Sequence, residues 1–478
     1  MRFSRNVAVE LRRISGALTT VPFLRILREW KKKNFNRHAC FEVLTKIIAE
    51  QPAVREFLNP DTILEGGLFA TDKLLYEPSD SWLLQFARVD TKTDVLCGFQ
   101  IPDQHVEETG RLLREIAEAQ DLDSIRQILP RSSEEVVQSL FLSDPREEWP
   151  TASTPGIYRR EHASILVQSE TTKLLIDPIS MSRMVPNVTS VGLPQSEDRP
   201  NGILVTHSHA DHWDIPTLLS ICGNSKVPII VPQVPKPTHL CPNFEHDLSR
   251  VGLTPLAPRW NETLTLGDIE IRILPFFGEQ PSITEECIDP DVRNWGNCYR
   301  IDTPTFSATL LVDSGKDLQG TMADVLRTVE KDLGPCDFLL ACMRDFRSPF
   351  EIGGLFSYFS VLRFDQLEKL WPIYLKGDLL PTTAGLKSGG IADLCEASKA
   401  KIFLPYAEGF PGIGKCVPAG PFGPSMKNSE SEGIAILRSQ LGKRNCFTRA
   451  ELWSPGDGFT PSKNGLIRLK CHQGDLRG

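Results

Sequence analysis

The 478-residue chain has no Cys-x-x-Cys pair, no long apolar run and no excess of positive charge. Its twelve cysteines are scattered singly from Cys40 to Cys471, so neither a zinc knuckle nor a disulfide framework is expected, and a reducing cytoplasm is the default setting. No apolar stretch approaches the roughly 18 residues of a membrane span. Glu10, Pro22 and Arg25 interrupt anything resembling a signal core, although Arg2, Arg5, Arg12, Arg13, Arg25, Arg28 and Lys31 to Lys33 make that end basic. Residues 5–33 are expected to form a solvated surface helix, with a basic amphipathic helix touching a membrane or an acidic partner as the alternative. A net charge of −8 and a pI near 5.7 give no support for a nucleic-acid partner.

What is present fits a globular protein of more than one domain: 40% of residues are hydrophobic and 24% charged, on a chain too long for one ordinary core. The densest chemistry lies in Asn201-Gly-Ile-Leu-Val-Thr-His207-Ser-His209-Ala-Asp211-His212-Trp-Asp214. A short apolar run reads as a buried strand, and the imidazoles and carboxylates follow its carboxyl end. Imidazole and carboxylate together favour a borderline divalent metal over calcium or magnesium. His207 and His209, two apart, reach one ion; Asp211 and His212, adjacent, can turn toward a second. A polar loop of satisfied histidines is the bland alternative.

The run His207-x-His209-x-Asp211-His212 resembles the signature of the metallo-β-lactamase superfamily, and the similarity extends over roughly residues 155–415. Asp214 resembles the subset containing lactonases and N-acyl phospholipid phosphodiesterases. The resemblance implies an α/β fold, an αββα sandwich over 155–420 with its site at the lip between two sheets. Asp177, ending the strand at 173–177, matches the superfamily's usual carboxylate there, which would hold a ligand histidine in its ligating tautomer; locally it reads equally as a turn residue before Pro178. Asp313, in Val-Asp-Ser-Gly after the strand at 306–312, resembles the bridging carboxylate.

The absences inside the resemblance are informative. Ordinary hydrolases of the superfamily carry a third histidine for the first metal after a strand like Ile269–Leu274; here the loop offers Glu279. That set resembles the diiron β-hydroxylase branch of the superfamily, known from chloramphenicol biosynthesis, and carboxylate in place of imidazole favours iron. Relatives commonly place a terminal histidine after the last strand; here the loop reads Pro405-Tyr406-Ala407-Glu408, so Glu408, water or substrate fills that place.

Around this core, residues 1–150 read as an α+β accessory domain. Helical periodicity runs over 40–50, 104–121 and 133–142, with a strand pair near 82–89 and 93–99. It serves dimerisation, partner docking or covering of the site; His38 and His105 are read as structural. The Pro/Ser/Thr-rich stretch 144–156 marks the boundary. A helix at 215–219, strands at 227–231, 338–342 and 401–404, and helices near 322–332 and 391–400 complete the pattern. His239 and His246 are read as loop residues, and 421–478 as an extension that packs on the catalytic domain, wrapping it or forming a lid.

The implied oxygenase would place His207, His209 and Glu279 on one iron, Asp211, His212 and Glu408 on the other, and Asp313 between them, with Asp211 and Glu279 the residues nearest the chemistry. It would take a small-molecule or carrier-protein-bound substrate and an electron donor. The alternatives are a zinc or manganese hydrolase of an ester, lactone or phosphodiester, with Asp211 assisting proton transfer, and a metal-poor binding scaffold.

Overall fold

Period-two alternation in the short apolar runs divides their side chains between two cores. In the strands Ile165–Gln168, Lys173–Ile176 and Gly202–Leu204, Ile165, Val167, Leu174, Ile176 and Leu204 join a core shared with a second sheet. Leu166, Leu175 and Ile203 join the core on the opposite face. A strand buried on both faces reads as a continuous apolar run, which is why the only polar residues of these runs, Gln168 and Lys173, stand at strand ends.

In the computed structural model, the described residues are 2–3, 7–13, 26, 29–50, 81–88, 95–119, 122–128, 141–142, 154–179, 198–238, 240–278, 280, 291–345, 364–378, 383–386, 389–407, 430–462 and 465–469. Two large sheets face each other. One has eight strands in the order Thr254–Leu256, Pro228–Ile230, Gly202–Leu204, Lys173–Ile176, Ile165–Gln168, Gly156–Arg159, Gly458–Ser462 and Gly465–Leu469. The other has seven: Thr263–Leu266, Ile269–Leu274, Cys298–Asp302, Ser307–Leu310, Phe338–Ala341, Ile402–Pro405 and Arg449–Ala450. The helices Met322–Leu333, Gly390–Ser398 and Glu430–Lys443 pack Leu326, Leu394 and Leu437 into the core of the seven-stranded sheet. The helices Val106–Glu118 and Ile215–Cys222 back the eight-stranded sheet. The architecture is an α/β sandwich with two central sheets, as the signature implied.

Of the extension 421–478, expected to pack on the catalytic domain by wrapping it or forming a lid, the described residues contribute one strand to the seven-stranded sheet and two to the eight-stranded one. Arg159, fully buried, ties the extension in by donating to both oxygens of Glu430, at 2.9 and 2.6 Å, and to Trp453 O at 2.7 Å.

The amino-terminal part departs from the expected surface helix. Val7–Arg13 is a strand, antiparallel to Ser81–Arg88, which pairs in turn with Val95–Pro102. The reason is again alternation: Val9 and Leu11 are buried while Glu10 and Arg12 are exposed, a period of two and not of 3.6. The helix expected at 133–142 lies mostly outside the described residues, and its end, Phe141–Leu142, is a strand against Arg2–Phe3. The stretch 144–153 is also outside them.

The three-stranded sheet packs Val9, Leu11, Trp82, Leu84 and Phe86 into the core that backs the eight-stranded sheet. Gly110 lets the helix Val106–Glu118 come close enough that a Cβ there would meet Val251 O at 2.2 Å. Arg13 closes the join. Its Nε donates to Asp247 Oδ1 at 2.9 Å, its guanidinium lies 4.7 Å from the Trp82 ring centre, and its Nη2 meets His246 Nδ1 at 3.0 Å. His246, read from sequence as a loop residue, sits in the helix Phe244–Arg250 and takes part in this join.

Candidate metal centre

The strand Gly202–Leu204 ends against Val205 and Thr206, and the histidine run turns off from there. Asp177, immediately after Lys173–Ile176, is fully buried and accepts three hydrogen bonds: from Thr206 N at 2.7 Å, from Thr206 Oγ1 at 2.6 Å and from His212 Nδ1 at 2.8 Å. The carboxylate is thus no mere turn residue. With its proton given to Asp177, the Thr206 hydroxyl keeps lone pairs for His207 Nδ1–H at 3.0 Å. Both histidines are therefore held at Nδ1, which leaves each Nε2 as the inward-facing nitrogen. Phe276 stacks on the His207 ring at 5.4 Å between centres.

Two groups of donors result. His207, His209 and Asp313 form one, and Asp211, His212 and His162 the other, the donor atoms of each group lying within 4.8 Å of one another. Asp313 Oδ2 stands 3.9 Å from His207 Nε2 and 3.5 Å from His212 Nε2, between the two groups. His209 and Asp211 are only partly buried, so the centre opens to solvent on their side. Asp214, the trailing acid of the run, caps the helix Ile215–Cys222 by accepting from Thr217 N at 2.9 Å.

Burial, reinforced by the neighbouring His212 and His209, pushes the pKa of His207 well below its usual value, and burial lowers His209 too. Both rings then present lone pairs at neutral pH. Burial alone would lower His212, but Asp211, Asp177 and Asp313 carry it well above the usual imidazole range. Burial alone would raise Asp211, yet His212 and His162 hold it well below the usual carboxylate range. The acids together favour positive charge at this spot, whether a proton or a metal ion. A metal fits the donors: His212 Nε2 and Asp313 Oδ1 are buried with no hydrogen-bond partner among the described residues.

The backbone is strained here. Among the described residues, four of the nine non-glycine residues with positive φ are His162 (47°), Asp177 (40°), Val312 (48°) and Ala407 (60°), one in the turn after Gly156–Arg159 and three just past the carboxyl ends of strands around the centre. Such outliers collect where a site is over-determined by its surroundings.

Glu279 and Glu408, the two substitutes expected from sequence, lie outside the described residues. Both flanks of Glu279 are held. Gly278, at φ 113°, donates from N to Asp317 Oδ2 at 3.1 Å, and Gln280 Nε2 donates to Gly278 O and Asn294 O. Arg293 Nη2 donates to Phe276 O at 2.9 Å and Asp317 Oδ2 at 2.8 Å, its guanidinium among the rings of Trp260, Trp295 and Phe277.

His162 was not among the sequence candidates. It lies 45 residues before His207 in Arg-Arg-Glu-His-Ala, with only Glu161 beside it as a ligand type and no second histidine nearby. It could have been found only by noting that it precedes an apolar run in the opening hairpin, whose turn reaches the same rim.

Residues 172–341 match the family model described as Beta-lactamase superfamily domain. Together with the two-sheet sandwich and the complete signature at His207, His209, Asp211 and His212, this gives the chain the metallo-β-lactamase fold.

The chain is 31% identical over 124 residues to the 4-amino-L-phenylalanyl-[CmlP-peptidyl-carrier-protein] 3-hydroxylase of Streptomyces venezuelae. That match spans 25% of this chain and 23% of the relative, so about three quarters of the relative lies outside it. Among solved structures, CmlA, a diiron beta-hydroxylase from Streptomyces venezuelae, superposes with a TM-score of 0.58 and 14% identity over 98% of this chain and 99% of that one. A mutant of the CmlA beta-hydroxylase gives 0.59 and 14% over 98% and 100%. At that identity the likeness is one of fold, and it extends over the amino-terminal part as well.

Proposed function

We propose that the protein is a dinuclear metalloenzyme that uses dioxygen to hydroxylate a C–H bond of a small or carrier-bound substrate. The observation that carries it is the pair of donor groups meeting at Asp313, with His212 Nε2 and Asp313 Oδ1 buried and without a hydrogen-bond partner among the described residues. His207 and His209 with Asp313 would hold one ion, Asp211 and His212 the other, and Asp313 would span them. Glu279 is proposed for the first ion, and Glu408, water or substrate for the place left on the second.

Support for iron comes from the carboxylate at 279 where hydrolases carry imidazole and from the local identity to a hydroxylase. A bound diiron pair would supply the redox chemistry, with hydroxylation consuming dioxygen and two electrons and two protons from an external donor, and releasing water. The chain's own contribution is to keep the His207 and His209 lone pairs free, to fix His207 and His212 at Nδ1, and to leave His209 and Asp211 on the open side where substrate enters.

The test is metal analysis with electronic absorption on protein from cells given both iron and zinc. Two irons per chain with oxo-bridged ferric bands, and loss of iron in Glu279→Ala, support the reading. Two zincs without visible bands favour hydrolysis of an ester, lactone or phosphodiester, and absence of metal favours a binding scaffold.

A further inference from the structure

We infer that His162 is a protein ligand of the second metal ion, supplying the terminal imidazole that the loop after the last parallel strand of the catalytic fold lacks. The inference rests on the dinuclear reading above and concerns only which residues complete it.

The geometry starts from the turn that joins Gly156–Arg159 to Ile165–Gln168. Arg160 N bonds to Ser164 O at 2.8 Å and Ser164 N to Glu161 O at 2.6 Å, which tightens the turn and holds His162 at φ 47°. Histidine in that region is uncommon and carries a cost. The ring is 2% exposed, so it has been taken out of water although it stands in a hairpin turn, where side chains normally face solvent.

Its Nε2 is 2.8 Å from Asp211 Oδ2, and His212 Nε2 is 3.8 Å from the same oxygen. Two donors each about 2.1 Å from a tetrahedral ion are roughly 3.4 Å apart, and the two separations bracket that value. The His162 and His212 rings meet edge to face at 5.4 Å between centres. These are the distances of three groups facing one point.

The ligand count makes the same case. Among the described residues other than His162, Asp211, His212 and a shared Asp313 give the second ion three protein donors; a fourth is normal for a site of this type, and His162 takes that place ahead of Glu408. The other described histidines outside the two donor groups stand elsewhere. His38 and His105 are exposed on the amino-terminal part, His246 is engaged with Arg13, and His239 and His472 lie outside the described residues. The loop Pro405-Tyr406-Ala407 holds no histidine, but Ala407 N lies 3.4 Å from His162 O, so the turn bearing His162 sits directly against it. An imidazole is thereby delivered to the rim from the first hairpin.

The competing role is positioning: His162 could donate a hydrogen bond to Asp211 and never touch metal. Glutamine separates the two, because its amide can donate to Asp211 but offers no imidazole nitrogen. The experiment uses the full-length protein loaded with cobalt(II), read by metal content and by the hyperfine-shifted exchangeable imidazole N–H resonances. Wild type is expected to bind two ions and show four such resonances, from His162, His207, His209 and His212. His162→Gln is expected to fall to about one tightly held ion, with the His162 resonance lost.

Three shifted imidazole resonances in wild type, unchanged in His162→Gln with both ions retained, would overturn the inference and leave the dinuclear reading standing. A wild type that binds no cobalt overturns both. Should His162→Gln fold poorly, the count of four against three in wild type still decides.

Discussion

The two donor groups are built from one buried carboxylate in two different ways. His212 is gripped directly by Asp177, whereas His207 is reached only through the Thr206 hydroxyl. The first is a charge-assisted bond, the second a neutral relay, and charge-assisted bonds are roughly twice as strong. The difference teaches that ions bound in the two groups, if equally coordinated, would not be equally held: the His212 group depends on a charge, the His207 group on a hydroxyl.

Asp177→Ala breaks the comparison altogether. It leaves Thr206 N–H, Thr206 O–H and His212 Nδ1 without their acceptor in a fully buried place, so a loss of about 3 kcal/mol in a urea melt is expected, together with loss of metal from both groups. Asp177→Asn is gentler, with metal affinity near His212 falling by about 10- to 100-fold in a chelator competition.

Thr206→Val sharpens the comparison, because it removes the relay and spares the direct bond. The cost is about 1–2 kcal/mol. Retention of the ion near His207 should drop on the order of tenfold while the His212 side stays within error; equal losses on both sides would mean that the relay does not distinguish them.

Arg293→Lys tests whether the loop carrying Glu279 belongs to the His207 side. Lysine cannot reproduce the paired contacts to Phe276 O and Asp317, so about 1 kcal/mol of stability should go. Weaker binding of the first ion alone should accompany it; unaltered metal binding would place Glu279 outside the site.

The smallest effect expected is a control far from both groups. Partial burial alone would raise Asp103, but the Trp82 indole N–H and the Arg250 and Arg13 guanidinium groups outweigh it and hold the carboxyl below its usual range. A carboxyl depressed in the folded state contributes stability above the unfolded pKa and loses it as pH falls through the folded value. Asp103→Asn should therefore cost about 1 kcal/mol or less near neutral pH, a gap that closes in acid, without touching metal content.

Much of this was legible in the chain. The short runs at 165–168, 173–176, 202–204 and 228–230 were readable as strands because a segment buried on both faces is apolar between its ends. His207, His209, Asp211 and His212 announced themselves because one turn can hold them all, so local sequence spacing is spatial spacing. Asp313 and Asp177 stood out through their match to the superfamily's carboxylates at strand ends, local sequence alone leaving Asp177 equally a turn residue. The basic residues of Val7–Arg13 and its neighbours mimic a cationic surface helix, whereas the alternation of Val7, Val9 and Leu11 carries the strand. The helix Phe244–Arg250 was passed over for its prolines upstream.

By itself, then, the sequence determined whatever a single segment can hold: the alternation that sends Leu174 to one core and Leu175 to the other, and the ligand run of one loop. Only the tertiary structure decided what lies between segments: that Arg13 meets Asp247 across the join, that residues past 421 complete both sheets, and that His162 faces Asp211. Those pairings depend on the distance between chain segments in the folded state, which chain separation does not encode.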